Sequence, residues 1–237
     1  MLEAVIFDVD GTLADTERHG HLPAFNAAFA EHGLDIVWDA DEYGQLLTIT
    51  GGRRRIAADL RARGFTETAD NIAAAVHRTK TKLFRDRILT HGIPPRPGLV
   101  DLIAGLHDAG IRTAVATTGT RAWVEPLLQH IVGDGAMDAV VTGDDVHDLK
   151  PHPEVYLRAL EGLGLSAKNA LAVEDSAIGL QAARAAGLAT VVVTNEYTVG
   201  HEFPGAAAVL ARFDGPEPLG VERCRVLHRE WLAAARL

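Results

Sequence analysis

Two rhythms of apolar and polar residues divide this chain. Residues 3–8 form a β-branched and aromatic run that stops abruptly at acids and a glycine, which predicts a short buried strand. Residues 16–89 hold no strand-like run, and their alanine-rich stretches at 23–32 and 54–63 carry helical spacing, so this block is predicted to be all helical. Gly92-Ile93-Pro94-Pro95-Arg96-Pro97-Gly98 closes it, because such a proline-dense connector cannot continue a helix. Beyond it, predicted helices at 99–109, 121–131, 153–162 and 178–186 alternate with predicted strands at 112–116, 139–142, 170–173 and 190–193. That alternation implies βαβ crossovers and a parallel sheet with helices on both faces, which the isolated first strand most simply joins. The expected fold class is α/β: a Rossmann-like parallel-sheet core of residues 1–15 and 93–237, with an inserted helical domain at 16–92. The tail from Gly215 is expected to be peripheral helix.

Composition narrows the class. The 237 residues exceed the usual ~150 per domain, leaving room for a core plus an insertion. Apolar residues at 47% and charged residues at 23% exclude wholesale disorder and fibrous classes. The single cysteine, Cys224, excludes an internal disulfide and a cysteine-based zinc site and points to a reducing compartment. The opening Met1-Leu2-Glu3-Ala4 has no basic region, and no uncharged apolar run approaches the ~18 residues of a membrane span, so a cytoplasmic location is expected. Net charge −9 argues against nucleic acid and anionic membrane as partners. The charge is uneven, however: residues 1–48 carry ten acids and one base, whereas residues 49–90 carry ten bases and four acids.

In open parallel sheets ligands bind at the carboxyl ends of the strands. The first predicted strand is followed there by Asp8-Val9-Asp10-Gly11-Thr12-Leu13, the second by Thr117-Thr118-Gly119-Thr120, the third by Gly143-Asp144-Asp145 and then Lys150-Pro151, and the fourth by Glu174-Asp175-Ser176. Asp8 and Asp10, two apart at a strand end, project the same way. With Glu174 and Asp175 arriving from another strand, they repel unless a cation or proton is shared, and hard oxygen donors without histidine or cysteine suit Mg²⁺. Lys150 supplies a fixed positive charge, while Thr117, Thr118 and the backbone N–H groups of Gly11 and Gly119 can hold phosphoryl oxygens. This is the inventory of phosphoryl transfer through a carboxylate nucleophile. In the helical block, Thr50-Gly51-Gly52-Arg53-Arg54-Arg55 sets glycine-freed amides beside guanidinium groups, an arrangement suited to a second phosphate.

The four ordered motifs resemble those of the haloacid dehalogenase superfamily, and the helical block resembles its cap domain placed after the first motif, as in phosphoglycolate phosphatases and β-phosphoglucomutases. The resemblance implies Asp8 as nucleophile, Asp10 as general acid/base, Thr117 and Lys150 as phosphoryl binders, and Mg²⁺ held by Asp8, the Asp10 backbone carbonyl and Asp175 with Glu174 alongside. Asp10 also favours a phosphatase over a dehalogenase, because an alkoxide leaving phosphorus needs an acid and a halide does not. Glu17, Glu42-Tyr43, the 50–55 segment and His77-Arg78-Thr79-Lys80 together resemble the CbbY-type phosphatases of the Calvin cycle, which act on xylulose-1,5-bisphosphate. Arg53 and Arg54 depart from that group, which carries lysine and glutamate there. The expected substrate-binding set is Gly11, Glu17, Thr50, Gly51, Gly52, Arg53, Arg54, His77, Arg78, Lys80, Thr118 and Gly119.

Plainer readings apply elsewhere. His19 and His21 lack a third ligand at metal spacing and are expected to pack on a helix. Asp144, Asp145 and Asp148 lack the glycine and glutamate of a calcium loop and are expected to shape the loop that carries Lys150. The expected partner is a small phosphorylated metabolite, met by a monomer. A phosphoglucomutase, a phosphoglycolate phosphatase and a non-catalytic sensor on the same fold stay open as alternatives at this point.

Overall fold

In the computed structural model, which describes residues 1–234, six parallel strands form one sheet in the order β3-β2-β1-β4-β5-β6. The strands are β1 (Ala4–Phe7), β2 (Arg112–Ala116), β3 (Ala139–Val141), β4 (Ala170–Glu174), β5 (Ala189–Val193) and β6 (Ala208–Leu210). β1 lies at the centre, with Val5 paired to Thr113 on one side and Leu171 on the other. Residues of a strand alternate between its two faces, and β1 does so cleanly. Val5 and Phe7 enter one apolar cluster with Val115, Leu171 and Val173, while Ala4 and Ile6 enter another with Ala114, Ala116 and Ala172. Such two-sided burial explains why the strands read as continuous apolar runs.

After β1 the chain leaves the sheet. A π-helical turn, Glu17–His21, leads into α1 (Leu22–Glu31), α2 (Ala40–Leu46), α3 (Gly52–Ala62) and α4 (Ala69–His91). These helices bury a cluster of their own around Phe25, Phe29, Trp38, Tyr43, Ile56 and Leu60. The insertion is also pinned to the sheet, since Phe84 and Ile88 of α4 belong to the cluster under β1. The remaining helices are α5 (Leu99–Asp108), α6 (Arg121–Val132), α7 (Glu154–Leu163), α8 (Ala177–Ala185) and α9 (Val221–Ala234). No helix is long and apolar enough to cross a membrane among the described residues. β6 is an addition to the expected strands: three residues long and half-exposed, it pairs with β5 through Val192 and Val209 yet carries too short a pattern to announce itself.

Candidate active site

The carboxyl end of the sheet gathers the motif residues. β1 delivers Asp8 and Asp10, β4 ends in Glu174 and is followed by Asp175, and the segment after β3 returns Lys150 to the same point. The Lys150 Nζ donates to Asp8 Oδ1 and to Glu174 Oε1, each at 2.6 Å, and the Tyr156 hydroxyl donates to Glu174 Oε1 at 2.5 Å. Glu174 is fully buried, and its close fit requires a glycine opposite: a Cβ at Gly179 would stand 2.0 Å from the carboxylate.

Three buried carboxylates, Asp8, Glu174 and Asp175, thus face one ammonium. They offer oxygens within 4.8 Å of one another, a grouping that could hold a metal ion. Burial pushes Asp8 up to about 7 despite Lys150, with the charges of Glu174 and Asp10 adding to the rise. Burial likewise lifts Asp175 well above the carboxylate range, reinforced by Asp8 and Glu174. Lys150 is raised despite burial, because Asp8 and Glu174 favour its charge. The excess negative charge calls for a cation.

Asp10 has a different environment. Its Oδ1 accepts from the Thr16 hydroxyl at 2.5 Å and meets His21 Nε2 at 2.8 Å, while His21 Nδ1 meets Lys80 Nζ at 2.6 Å. Burial works against its charge, yet His21, Thr16 and Lys80 hold its carboxyl below the usual value. The two aspartates of one motif are therefore driven apart, Asp8 upward and Asp10 downward. Lys80 is itself lowered to about 7 by burial, against the pull of Glu17 and Asp10.

The cavity above these groups has two lobes. The smaller, about 120 Å³, is lined by Asp8, Asp10, Thr50, Thr118, Lys150, Asp175 and Ser176. The larger, about 270 Å³, extends into the insertion past Gly51, Gly52, Arg53, Arg54, His77, Lys80 and Gly119. Asp10, Glu17, Gly51, Arg55 and Thr118 border both. His77, lowered to about 4 by burial and by the charges of Lys80, His21 and Arg53, is neutral at physiological pH.

Most expected residues converge here, with exceptions. Arg78 is exposed and lines neither lobe, because one step along α4 from His77 turns it about 100° away from the face shared by His77 and Lys80. Thr117 is buried below the cavity, where its Oγ1 accepts from the Gly119 N–H at 3.0 Å. Gly11 lines neither lobe either; it packs beneath the smaller one, against Asp175. Of the three arginines, Arg55 is the buried one: it donates to the Tyr43 hydroxyl at 3.0 Å, and Tyr43 in turn donates to Glu17. Arg53 and Arg54 line the larger lobe while remaining exposed. Asp144 and Asp145 accept from the Arg121 backbone and side chain, and Asp145 also from Thr142, which ties down the loop before Lys150.

Sequence reasoning missed Thr16, His21 and Asn195. Asn195 Nδ2 donates to Asp175 Oδ2 at 2.6 Å from the loop after β5, the one central strand end whose following residues received no reading. The π-helical turn that presents His21 is a conformation enriched at functional sites, but it leaves no mark in composition.

Comparison with known proteins decides the family. Residues 2–187 match the model of the haloacid dehalogenase-like hydrolases. The chain belongs to that family. It is 45% identical over its whole length to CbbY of Cupriavidus necator, 95% of which is covered. It superposes with a TM-score of 0.85 on the crystal structure of a CbbY variant from Rhodobacter sphaeroides in complex with xylulose-1,5-bisphosphate, at 43% identity over 92% of this chain and 98% of that one. CbbY of the same organism in complex with phosphate gives a TM-score of 0.83 at 42% identity, over the same shares of both chains. The chain is thus a CbbY-like member of the haloacid dehalogenase-like hydrolases.

Proposed function

We propose that this hydrolase of phosphoric monoesters is a Mg²⁺-dependent phosphatase for a small sugar bisphosphate such as xylulose-1,5-bisphosphate, acting through an aspartyl-phosphate on Asp8. The observation that carries the reading is the two-lobed cavity, acidic with one lysine in the smaller lobe and lined by Arg53, Arg54 and Lys80 in the larger. A sugar phosphorylated at both ends would match it, with the scissile phosphate beside Asp8 and the distal one against the guanidinium groups. The likeness to a CbbY in complex with that bisphosphate supports the same reading.

The donor set fits Mg²⁺, because three buried carboxylates share one ammonium and every candidate ligand is a hard oxygen. Asp8, Asp175 and the Asp10 carbonyl would hold the ion, with Glu174 alongside, and the bound cation would neutralise phosphoryl oxygens. Lys150 keeps Asp8 in place and offsets its charge, so that an Asp8 oxygen can attack phosphorus in line with the leaving group. Asp10 is ionised in the free enzyme, so it would take up a proton as the phosphate dianion binds beside it, and the P–O bond to the sugar breaks as Asp10 gives that proton to the departing alkoxide. The Thr118 hydroxyl, which borders both lobes, is available to the phosphoryl oxygens, whereas the Gly119 N–H is already given to Thr117 Oγ1. In the second half Asp10 takes a proton from water, whose oxygen attacks phosphorus, and phosphate leaves with Asp8 regenerated. His21, wedged between Asp10 and Lys80, orients the Asp10 carboxylate for both proton transfers. Residues 16–92 would act as a cap that closes the larger lobe over the sugar and excludes bulk water, on a core of residues 1–15 and 93–237.

A panel of phosphate esters with Mg²⁺ tests the reading. Preference for xylulose-1,5-bisphosphate over phosphoglycolate and hexose monophosphates is the expected result, and a strong preference for a monophosphate would overturn the role given to the larger lobe.

A further inference from the structure

Asp175 is gripped from a side that the motif series does not reach. The loop after β5 folds back on itself: the Asn195 N–H donates to Thr198 Oγ1 at 3.0 Å, and the Tyr197 N–H donates to Asn195 Oδ1 at 2.9 Å. A main-chain N–H can only donate, so the second contact settles which end of the Asn195 amide faces the loop. The Nδ2 end is left facing Asp175 Oδ2 at 2.6 Å and has to donate to it.

The pair is also held in place by packing. Gly11 has φ +77°, and a Cβ there would stand 2.3 Å from Asp175 Oδ2 and 2.4 Å from Asn195 Nδ2, so the loop that carries Asp8 and Asp10 rests directly on the contact. Beneath it the buried Arg96 donates to the carbonyls of Gly11 at 2.7 Å, Val193 at 2.9 Å and Thr194 at 2.6 Å. One guanidinium from the proline-rich connector thereby ties the loop after β1 to the loop after β5, and fixes how far Asn195 stands from Asp175.

We infer that Asn195 is a positioning residue for the cation site, setting the Asp175 carboxylate through the hydrogen bond to Oδ2. Without that bond Asp175 would be free to swing away from Asp8 and Glu174, whose charges repel it. With it, one oxygen is spent on the amide and the other, which has no hydrogen-bond partner among the described residues, is left for the ion. Partners of this kind orient ligating carboxylates and tune the affinity of the metal they hold.

The inference rests on the Mg²⁺-dependent reading above, and the test separates the two. Mg²⁺ binding is measured by calorimetry on EDTA-treated wild type, Asn195→Ala and Asn195→Ser, with melting temperatures recorded without metal. Serine keeps a side-chain oxygen able to accept from the Tyr197 N–H, so it preserves the loop turn while removing the amide donor, and it carries the test if the alanine variant does not fold. The expected result is Mg²⁺ affinity weakened about 10- to 100-fold in both variants, with little change in metal-free melting temperature. Turnover lost at limiting Mg²⁺ should return at saturating Mg²⁺ with the substrate KM unchanged. Wild-type affinity in both variants overturns the role of Asn195, and absence of Mg²⁺ binding by the wild type overturns the metal site itself.

Discussion

The Asp10 carboxylate and the His21 ring lie 2.8 Å apart, joining the first strand end to the turn that opens the helical insertion. The contact holds the proposed acid/base in one orientation, and Lys80 on the far ring nitrogen fixes the ring in turn. Replacing His21 by alanine should therefore lower kcat by about 10- to 100-fold, a part of what a positioned acid/base contributes, while changing KM little. Steady-state kinetics at saturating Mg²⁺ read this directly, and an equal loss in kcat and rise in KM would speak for a binding role instead.

Lys80 should give substrate binding a pH dependence. Its ammonium must be charged to hold a phosphate, and burial has lowered its value from 10.5 to about 7. KM for a sugar bisphosphate should thus rise as pH increases from about 6 to 9, whereas Lys80→Met should show a high KM that is flat over this range. The same shift has a linked effect on folding: between about 7 and 10.5 the unfolded chain holds a proton that the folded lysine has lost, so this group makes stability rise with pH across that window.

The arginines of α3 and α4 should separate by position. Arg53→Ala and Arg54→Ala should each raise KM for a bisphosphate several-fold and leave a monophosphate substrate unaffected, since both line the larger lobe. Arg78→Ala should match wild type on both substrates. Arg55→Ala should instead lower the melting temperature, because it removes a buried guanidinium that braces Tyr43, Leu46 and the turn before α3.

Breaking the Lys150 pairs should damage folding and chemistry together. Lys150→Ala leaves Asp8 and Glu174 buried without their shared countercharge, which costs roughly 3–5 kcal/mol when one partner of a buried pair is removed. Denaturant unfolding without metal measures the loss, and added Mg²⁺ should recover part of it by supplying charge at the same place.

How much of this was readable in advance follows from physical range. Strand ends bearing Asp8, Thr117, Lys150 and Glu174 stand out because each apolar run stops at a polar cluster, and a parallel sheet brings all such ends to one side. Arg53 and Arg54 could be assigned to the larger lobe from the glycines before them, but which arginine turns inward depends on the α3 rotation, and it is Arg55 that does. His21 reads in sequence as a packing residue because no third ligand stands at metal spacing, and its partner, Asp10, is brought to it by the π-helical turn. Asn195 was within reach of the same strand-end rule, one residue past Thr194, had the fifth strand been read to its end. Arg96 stands in the sequence only as a member of the proline-dense connector; its three carbonyl partners lie 85 to 98 residues away and leave no local pattern.

The most direct test of the account is Mg²⁺-dependent phosphate release from xylulose-1,5-bisphosphate by wild type and by Asp8→Asn. Asparagine keeps the shape of the side chain and removes the nucleophilic carboxylate, so the account predicts rapid release by the wild type and loss of at least about 1,000-fold in kcat for the variant. Hydrolysis by Asp8→Asn at the wild-type rate would contradict it.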